Sequence, residues 1–271
     1  MKKLICGLLS ALLMLSLFSA CSDEYKEPPQ IGFLVAQQFG GYKLGTVDGL
    51  VDKKVITDNI DSPDIKTFAS AEKGVSALKS KKIHGMVLPT VYIKNELENS
   101  DNFEKLYAPF VEKDIRALCL SSFESSIVVD AALTLIQNNG TADKIATAHS
   151  PYAKNAKEPY ARPEIVVKRK GATITIGICS DDNYPFNYRA EGGSLVGVNA
   201  DVAHEIAAYM GRDLIIKEYS EKELLKALDN GEVDIAMSAF SPSEEEPIST
   251  KYIASHPYYD ASVDILINAS K

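Results

Sequence analysis

One stretch of this chain, residues 173–267, constrains the fold more than any other part of the sequence. β-Branched residues alternate along residues 173–178, which predicts a strand. Apolar residues then recur at helical spacing along residues 200–210, and Gly211 follows as a typical helix terminator. The stretch therefore begins as a strand followed by a helix.

The pattern repeats immediately downstream. Residues 214–219 form a second apolar strand, and Ser220 with Glu223 make an S-x-x-E capping box that predicts the start of a second helix. Gly231 ends that helix before a third strand at residues 233–237. The β-α-β-α-β order predicts an α/β fold, with doubly wound parallel sheets covered by helices on both faces. In such sheets, ligands bind at the carboxyl ends of the strands.

Four motifs in this stretch carry a family resemblance. Asp181, Tyr184, Pro185 and Phe186 follow the first strand, and the segments GVNADVAHEIAAYMG, LDNGEVDIAMSAF and HPYYDASVDILI come after them in order. Together they resemble the family 3 solute-binding proteins of amino-acid ABC transporters over about a hundred residues. The resemblance implies the two-lobed type II fold of periplasmic binding proteins.

Upstream segments resemble the remaining parts of the same family, but in an unusual order. KLGTVDGL and SAEKGVSALKSKKIHGMVLPTVYI are similar to the second lobe, and LTLIQNNGTADKIATAH is similar to the last helices. We therefore expect residues 41–112 to form the second lobe and residues 113–271 the first lobe, with a surface linker at residues 153–163. A circularly permuted domain and the remnants of two tandem domains both explain this order. Permutation is favoured because each lobe occurs once.

The amino terminus has the layout of an export signal. Residues 1–20 contain two lysines, a short apolar run and small residues before Cys21, which predicts a lipoprotein signal peptide and lipidation of Cys21. A plain signal peptide and an uncleaved anchor are the alternatives. Residues 21–40 are predicted to form a tether with a candidate hinge strand at residues 31–36. The expected location is the bacterial cell envelope, on the periplasmic or outer-surface side.

Charge and reactive side chains narrow the function further. Removing Lys2 and Lys3 with the signal leaves 27 basic against 37 acidic residues, which disfavours nucleic acid as a partner. Cys119 and Cys179 lie in apolar runs and are interpreted as buried free thiols, although a disulfide between them stays open. The four histidines are dispersed, and we predict neither a metal site nor a cofactor.

The resemblance also implies how a ligand would be held. In the family, an arginine grips the ligand's α-carboxylate, a glycine-threonine turn donates hydrogen bonds, and an aspartate neutralises the α-ammonium. Here Glu246 stands at the arginine position, Leu50 follows Gly49 in place of the threonine, and Pro89 replaces the aspartate. We therefore predict that the ligand is not a standard α-amino acid.

The remaining side chains suit a small neutral or cationic polar ligand, such as a sugar fragment, a polyamine or a muropeptide piece. Loop packing is an equal alternative for Tyr184 and Phe186, and a solvated helix start is the alternative for residues 244–246. The predicted ligand-binding residues are Asp181, Tyr184, Phe186, Ser238, Phe240, Ser241, Ser243, Glu246 and Gly49.

These features predict a lipid-anchored extracytoplasmic solute-binding protein. We expect a monomer that passes a small polar solute to an ABC permease or a membrane receptor. A degenerate binding fold that serves as an interaction or sensor module is one alternative. An enzyme on the same fold, dehydratase-like or peptidoglycan-associated, is another, but the sequence shows no compact catalytic motif and we predict no enzymatic activity.

Overall fold

The computed structural model describes residues 35–107, 111–150, 159–243 and 247–269. The predicted signal peptide, Cys21, most of the tether and Glu246 lie outside these residues. The candidate hinge strand at residues 31–36 is described only at its end, where Ala36 begins the 3-10 helix Ala36–Phe39.

Lobe A is built on a five-stranded sheet in the order β2-β1-β3-β14-β4. The strands β1, β2 and β3 run parallel, whereas β14 is antiparallel to both of its neighbours. Numbered in chain order, the strands of this sheet are β1 (Lys43–Val47), β2 (Asp64–Phe68), β3 (Gly85–Pro89), β4 (Phe103–Lys105) and β14 (Val263–Asn268).

Helices cover both faces of the lobe A sheet. They are α1 (Lys53–Asn59), α2 (Ala71–Lys79) and α3 (Thr90–Glu98). Leu44 packs with Ile56 of α1 on one face, and Val47 packs with Leu78 of α2 on the other. This two-sided burial explains why the strands read as continuous apolar runs.

Lobe B repeats the design with the order β10-β7-β11-β6-β12. Its parallel part is formed by β10, β7 and β11, and β6 enters antiparallel between β11 and β12. The strands of this sheet are β6 (Leu118–Leu120), β7 (Thr173–Cys179), β10 (Asp213–Tyr219), β11 (Ile235–Met237) and β12 (Tyr252–Ala254).

Four helices flank the lobe B sheet, namely α4 (Ser126–Asn138), α5 (Thr141–Ala148), α6 (Val198–Met210) and α7 (Glu221–Asp229). The order β7-α6-β10-α7-β11 confirms the predicted β-α-β-α-β unit. Gly211 ends α6 with a left-handed φ of 63°, as its position after the helical pattern predicted.

The described chain passes between the lobes twice. The first passage leads from lobe A to lobe B, and the second leads back to lobe A. The two passages run side by side as the short antiparallel pair β5 (Asp114–Ile115) and β13 (Tyr259–Asp260). After the first passage β6 joins lobe B, and after the second β14 joins lobe A.

One predicted boundary is therefore wrong. Residues 113–271 do not form one lobe, because β14 fills the place between β3 and β4 of lobe A. Its residues Ile265, Leu266 and Ile267 are buried, so both faces of this strand are needed to complete the lobe A core. An apolar strand fits the core of either sheet, and the sequence pattern does not say which.

The described part of the predicted surface linker is tied to lobe B. Tyr160 packs against the core cluster that contains α6, and its hydroxyl group donates to the Glu205 carboxylate. Arg162 donates from Nε to the Asp201 carboxylate at 2.7 Å. Residues 159–163 are thus a strap fixed along α6 rather than a loose connection, and residues 151–158 lie outside the described residues.

Cys119 and Cys179 are both free and buried, which confirms the interpretation as thiols. Cys119 belongs to the core on the α4 and α6 side of the sheet, and Cys179 to the core on the α7 side. Burial raises the pKa of the Cys119 thiol to about 12, and burial also raises the pKa of the Cys179 thiol. Both thiols are therefore poor nucleophiles at neutral pH.

Candidate functional site

The predicted ligand-binding residues lie in loops at the carboxyl ends of parallel strands in both lobes. Lobe B contributes the loop after β7 and the loop after β11, and lobe A contributes the turn after β1 and the start of α3 after β3. Ligands of open α/β sheets bind at these ends because the chain reversals leave a crevice there.

The loop after β7 is fixed in place by the start of α6. The backbone N–H of Val198 donates to the Pro185 carbonyl at 3.0 Å, and that of Asn199 donates to the Phe186 carbonyl at 3.1 Å. Gly197 lies so close that a Cβ there would meet the Phe186 carbonyl oxygen at 2.3 Å, and its φ is 132°. Glycine is required at this position, and the loop is held before any ligand arrives.

Asp181 acts as a helix cap in this structure. Its Oδ2 accepts a hydrogen bond of 3.0 Å from the backbone N–H of Glu221, the first residue of α7. The Ser220 hydroxyl group donates to the Glu223 carboxylate at 2.7 Å, and the Ser220 side chain accepts no backbone hydrogen bond. This side-chain pair replaces the hydrogen bonds to the backbone that define a capping box, and Asp181 takes the capping role from across the loop.

The two predicted aromatic platforms have different environments. Tyr184 is 45% exposed, its ring lies 5.0 Å from the Tyr188 ring, and its hydroxyl group donates to the His149 carbonyl. Phe186 is only 7% exposed and packs edge-on against Tyr259 with the ring centroids 5.1 Å apart. Tyr184 thus remains a candidate ligand platform, whereas Phe186 is part of the lobe B core.

The loop after β11 is also partly structural. Ser238 is buried, and its carbonyl oxygen accepts from the Tyr258 hydroxyl group at 3.0 Å and from the Asn199 amide at 3.2 Å. The Phe240 side chain packs against the α7 core. Ser241 is half-buried and Ser243 is exposed, so these two serines present the loop to solvent.

Gly49 lines a cavity in lobe A that has a volume of about 440 Å³. Its φ of 72° forms the turn after β1, and Leu50 packs toward the α2 and α3 core. The Thr46 hydroxyl oxygen is buried beside this cavity and has no hydrogen-bond partner among the described residues. The lining residues are Thr46, Val47, Asp48, Gly49, Val51, Asp52, Lys53 and Thr67.

A second cavity of about 210 Å³ lies where the lobes meet. Thr90, Val91 and Lys94 line it from α3, while Asp143 and Gln137 line it from the lobe B helices. Lys94 Nζ lies 2.7 Å from Asp143 Oδ2, and both side chains are more than half exposed. This ion pair joins α3 of lobe A to α5 of lobe B.

A polar network beside Tyr184 was missed by the sequence analysis. Asp201 is 3% exposed and accepts from Arg162 Nε, while its Oδ2 lies 2.7 Å from His149 Nε2. His149 Nδ1 lies 2.9 Å from the Tyr188 hydroxyl oxygen. Burial raises the pKa of the Tyr188 hydroxyl, and the nearby Asp201 carboxylate raises it further. The network fixes the strap, the end of α5 and the loop after β7 to α6.

No local signal marks this network, because its members lie on separate segments of the chain. The described residues contain no group of three or more histidine, cysteine, aspartate or glutamate side chains suited to a metal ion. In the same part of the chain, no helix has the length and apolar character needed to cross a bilayer.

The part of the chain from β7 onward is similar to a known family. Residues 174–271 match the family described as bacterial extracellular solute-binding proteins, family 3. The chain is similar to this family over those residues. It is 32% identical over 88 residues to the "Probable histidine-binding protein" of Campylobacter jejuni, covering 32% of this chain and 33% of that protein. It is also 26% identical over 102 residues to the L-cystine-binding protein TcyJ of Escherichia coli K12, covering 37% and 36% of the two chains.

The chain thus spans about a third of the length of these curated relatives. Among solved structures, the phosphate-binding protein of a Streptococcus pneumoniae phosphate ABC transporter aligns at 9% identity with a TM-score of 0.41, covering 84% of this chain and 88% of that one. A Legionella pneumophila arginine transport-system binding protein aligns at 12% identity with a TM-score of 0.27, covering 84% and 86%. The family match covers residues 174–271, and the described residues form two α/β lobes.

Proposed function

We propose that this chain is a lipid-anchored extracytoplasmic solute-binding protein for a small neutral or cationic polar ligand. The observation that carries the proposal is the match of residues 174–271 to family 3, together with loops at the carboxyl ends of the lobe B strands and a second α/β lobe in the same chain. The named relatives bind solutes rather than transform them, and this favours a binding function over an enzymatic one.

The ligand class follows from the side chains that the described site offers. The lobe A cavity is lined by two carboxylates, Asp48 and Asp52, by two threonines and by one lysine. Asp52 Oδ1 also caps α1 by accepting from the Lys54 backbone at 2.8 Å. The acidic and hydroxyl groups of this lobe A cavity favour hydroxyl-rich or cationic ligands over carboxylates, and Tyr184 adds an exposed ring in lobe B.

Two lobe A residues, Leu50 and Pro89, disfavour a standard α-amino acid as the ligand. Pro89 ends β3 and offers no charge to an ammonium group, and the apolar Leu50 follows the glycine turn. A charge-assisted hydrogen bond contributes about 1.5 to 3 kcal/mol, so a zwitterion that lacks these anchors loses several orders of magnitude in affinity. We propose that the specificity of this chain therefore differs from that named for its relatives.

A ligand screen by thermal shift and calorimetry on residues 22–271 tests the proposal. Polyamines, mono- and disaccharides, muropeptides and the twenty amino acids form the panel. A true ligand at a hundred times its dissociation constant adds about 2.7 kcal/mol of stability. We expect such a shift from a member of the first three classes.

Paired tyrosine variants locate the binding site. Tyr184→Ala should weaken binding of the identified ligand at least tenfold, whereas Tyr209→Ala, which removes a similarly exposed ring far along α6, should leave it unchanged. Micromolar binding of a standard amino acid would overturn the ligand assignment. A panel without any binder would overturn the solute-binding function.

A further inference from the structure

The amino ends of the lobe A strands carry a basic surface, which we call the lysine pole. It is formed by Lys43 at the start of β1, by Lys79 at the end of α2, and by Lys81 and Lys82 in the turn between α2 and β3. Lys79, Lys81 and Lys82 are exposed, and the segment from Lys79 to His84 contains no carboxylate.

Two hydrogen bonds place Lys43 beside the turn that carries Lys81 and Lys82. The Lys43 N–H donates to His84 Nδ1 at 3.0 Å, and the His84 N–H donates to the Lys43 carbonyl at 2.7 Å. Lys79 Nζ lies 5.2 Å from the centre of the Phe103 ring, which holds its stem along the sheet. Asp64, 3.9 Å from Lys43, offsets part of this charge.

The lysine pole lies opposite the candidate site. Ligand loops occupy the carboxyl ends of β1 and β3, whereas Lys43 and the turn before Gly85 occupy their amino ends. A flat surface that contacts the pole therefore leaves the site open to solutes.

The described chain also enters lobe A at this pole. The 3-10 helix Ala36–Phe39 lies only a few residues before β1, and Phe39 is fully buried. Phe39 packs against Tyr42, and the Tyr42 ring lies 5.1 Å from the His84 ring. Residues 22–35, which separate Cys21 from this helix, span at most about 50 Å when extended.

We propose that the lysine pole docks on anionic phospholipid headgroups and holds lobe A against the membrane. This inference rests on the proposed function for the position of the anchor at Cys21. The chain as a whole is acidic, with a net charge of −8, so attraction has to be local. At physiological salt the Debye length is about 8 Å, so carboxylates at the far end of the molecule are screened while the pole touches the headgroups.

Vesicle co-sedimentation of residues 22–271, without a lipid anchor, tests the proposal. Vesicles of 70% phosphatidylcholine and 30% phosphatidylglycerol are compared with pure phosphatidylcholine vesicles at 50 and 150 mM salt. We expect binding to the anionic vesicles, which weakens as salt rises, and no binding to the neutral ones. The triple variant Lys79→Glu, Lys81→Glu and Lys82→Glu should bind at least tenfold more weakly.

A matched control reverses three charges at the opposite end of the molecule. Lys168, Arg169 and Lys170 form an exposed basic run before β7 in lobe B, and changing all three to glutamate alters the net charge equally. Binding within twofold of wild type is expected for this control, with unchanged melting for both variants. Equal loss in the two variants, or no binding of wild type to anionic vesicles, overturns the proposal. Because the assay needs neither lipidation nor a solute, its failure is separable from failure of the proposed function.

Discussion

The Asp181 side chain is occupied by a hydrogen bond to the backbone. Its position after β7 suggested a ligand contact, yet its carboxylate accepts from the first N–H of α7. The first four N–H groups of a helix have no partner within the helix, and a carboxylate also favours the positive end of the helix dipole. The residue therefore stabilises α7 and fixes the loop after β7.

We expect Asp181→Ala to lower the free energy of unfolding by about 1 kcal/mol, because a helix start loses its cap. Asp182→Ala is the matched control, since Asp182 is an exposed neighbour, and it should change stability by less than about 0.5 kcal/mol. Urea denaturation measures both variants. Unchanged stability of Asp181→Ala together with lost ligand binding would return Asp181 to the ligand-binding set.

Phe186 gives a second prediction at the scale of one residue. As a core side chain against Tyr259, its truncation to alanine should cost about 3 to 5 kcal/mol. Tyr184→Ala should cost much less, because the Tyr184 ring is almost half exposed. Thermal melts of the two variants make the comparison, and equal stability for both would contradict the core assignment.

The sequence predicted which residues stand in the loops, but not which of them a ligand can reach. Spacing placed Asp181, Tyr184 and Phe186 after a strand, and the structure confirms that placement. Their separate roles depend on partners far away in the chain, such as Glu221, His149 and Tyr259. Single-sequence periodicity carries no information about such contacts.

Among the elements, β14 has the most unusual burial. It places Asp264 in the lobe A sheet with no exposed surface, where Oδ2 accepts from Lys105 Nζ at 3.1 Å. Burial raises the pKa of the Asp264 carboxyl above its ordinary value near 3.8, and hydrogen bonds from the Ile265 backbone and Lys105 offset part of this shift. The strand therefore completes the core at an electrostatic cost.

This cost predicts a pH dependence. A carboxyl whose folded-state pKa is raised binds its proton more tightly in the folded chain, so its stabilising contribution is present at low pH and is lost as pH rises through the folded pKa. The stability of wild type relative to Asp264→Asn should therefore fall as the pH is raised from acid to neutral. Urea titrations of both proteins across this range measure the difference, and a difference that grows with pH would contradict the burial argument.

Periodicity identified the elements of lobe B more reliably than it identified their assembly. The order β7-α6-β10-α7-β11 follows from alternating and helical spacing, which are local properties. Either sheet could accept β14 by its apolar pattern. It joins lobe A because β3 and β4 leave a space for a strand between them, and this is a property of the whole molecule. The predicted capping box before α7 failed for a similar reason, because a distant carboxylate, that of Asp181, caps the same helix start.

For the whole molecule, we propose that the lobe order arises by circular permutation of the family arrangement. The topology supports this proposal, because each lobe occurs once among the described residues. The two five-stranded sheets also share one pattern of parallel and antiparallel neighbours. Both ends of the described chain also approach the same pole of lobe A. Asn268 donates to the Leu78 carbonyl at 2.8 Å, and Phe39 packs beside Gly85 at the start of β3.

A re-permuted chain tests this proposal. Residues 159–269 would come first and join through a glycine-serine linker to residues 35–150, which restores the family order. We expect the same far-ultraviolet circular dichroism spectrum and a similar melting temperature, because compact folds tolerate new ends at the surface when the old ends lie close together.

The control for this experiment opens the chain inside β1, between Gly45 and Thr46. It should fail to fold, because β1 lies between β2 and β3 in the sheet. If the family-order chain unfolds while the parent chain remains stable, the permuted arrangement loses its support.

The exchange of strands between the lobes has a consequence for the order in which the molecule matures. Lobe A comes first as the chain is synthesised, yet the strand that fills the gap between β3 and β4 is the last to appear. Until residues 263–268 arrive, the earliest-made lobe presents unpaired strand edges, which are the surfaces that chaperones shield and that aggregation exploits. Lobe A is thus begun first and completed last. Export of the unfolded chain would suit this order of strands better than folding during synthesis.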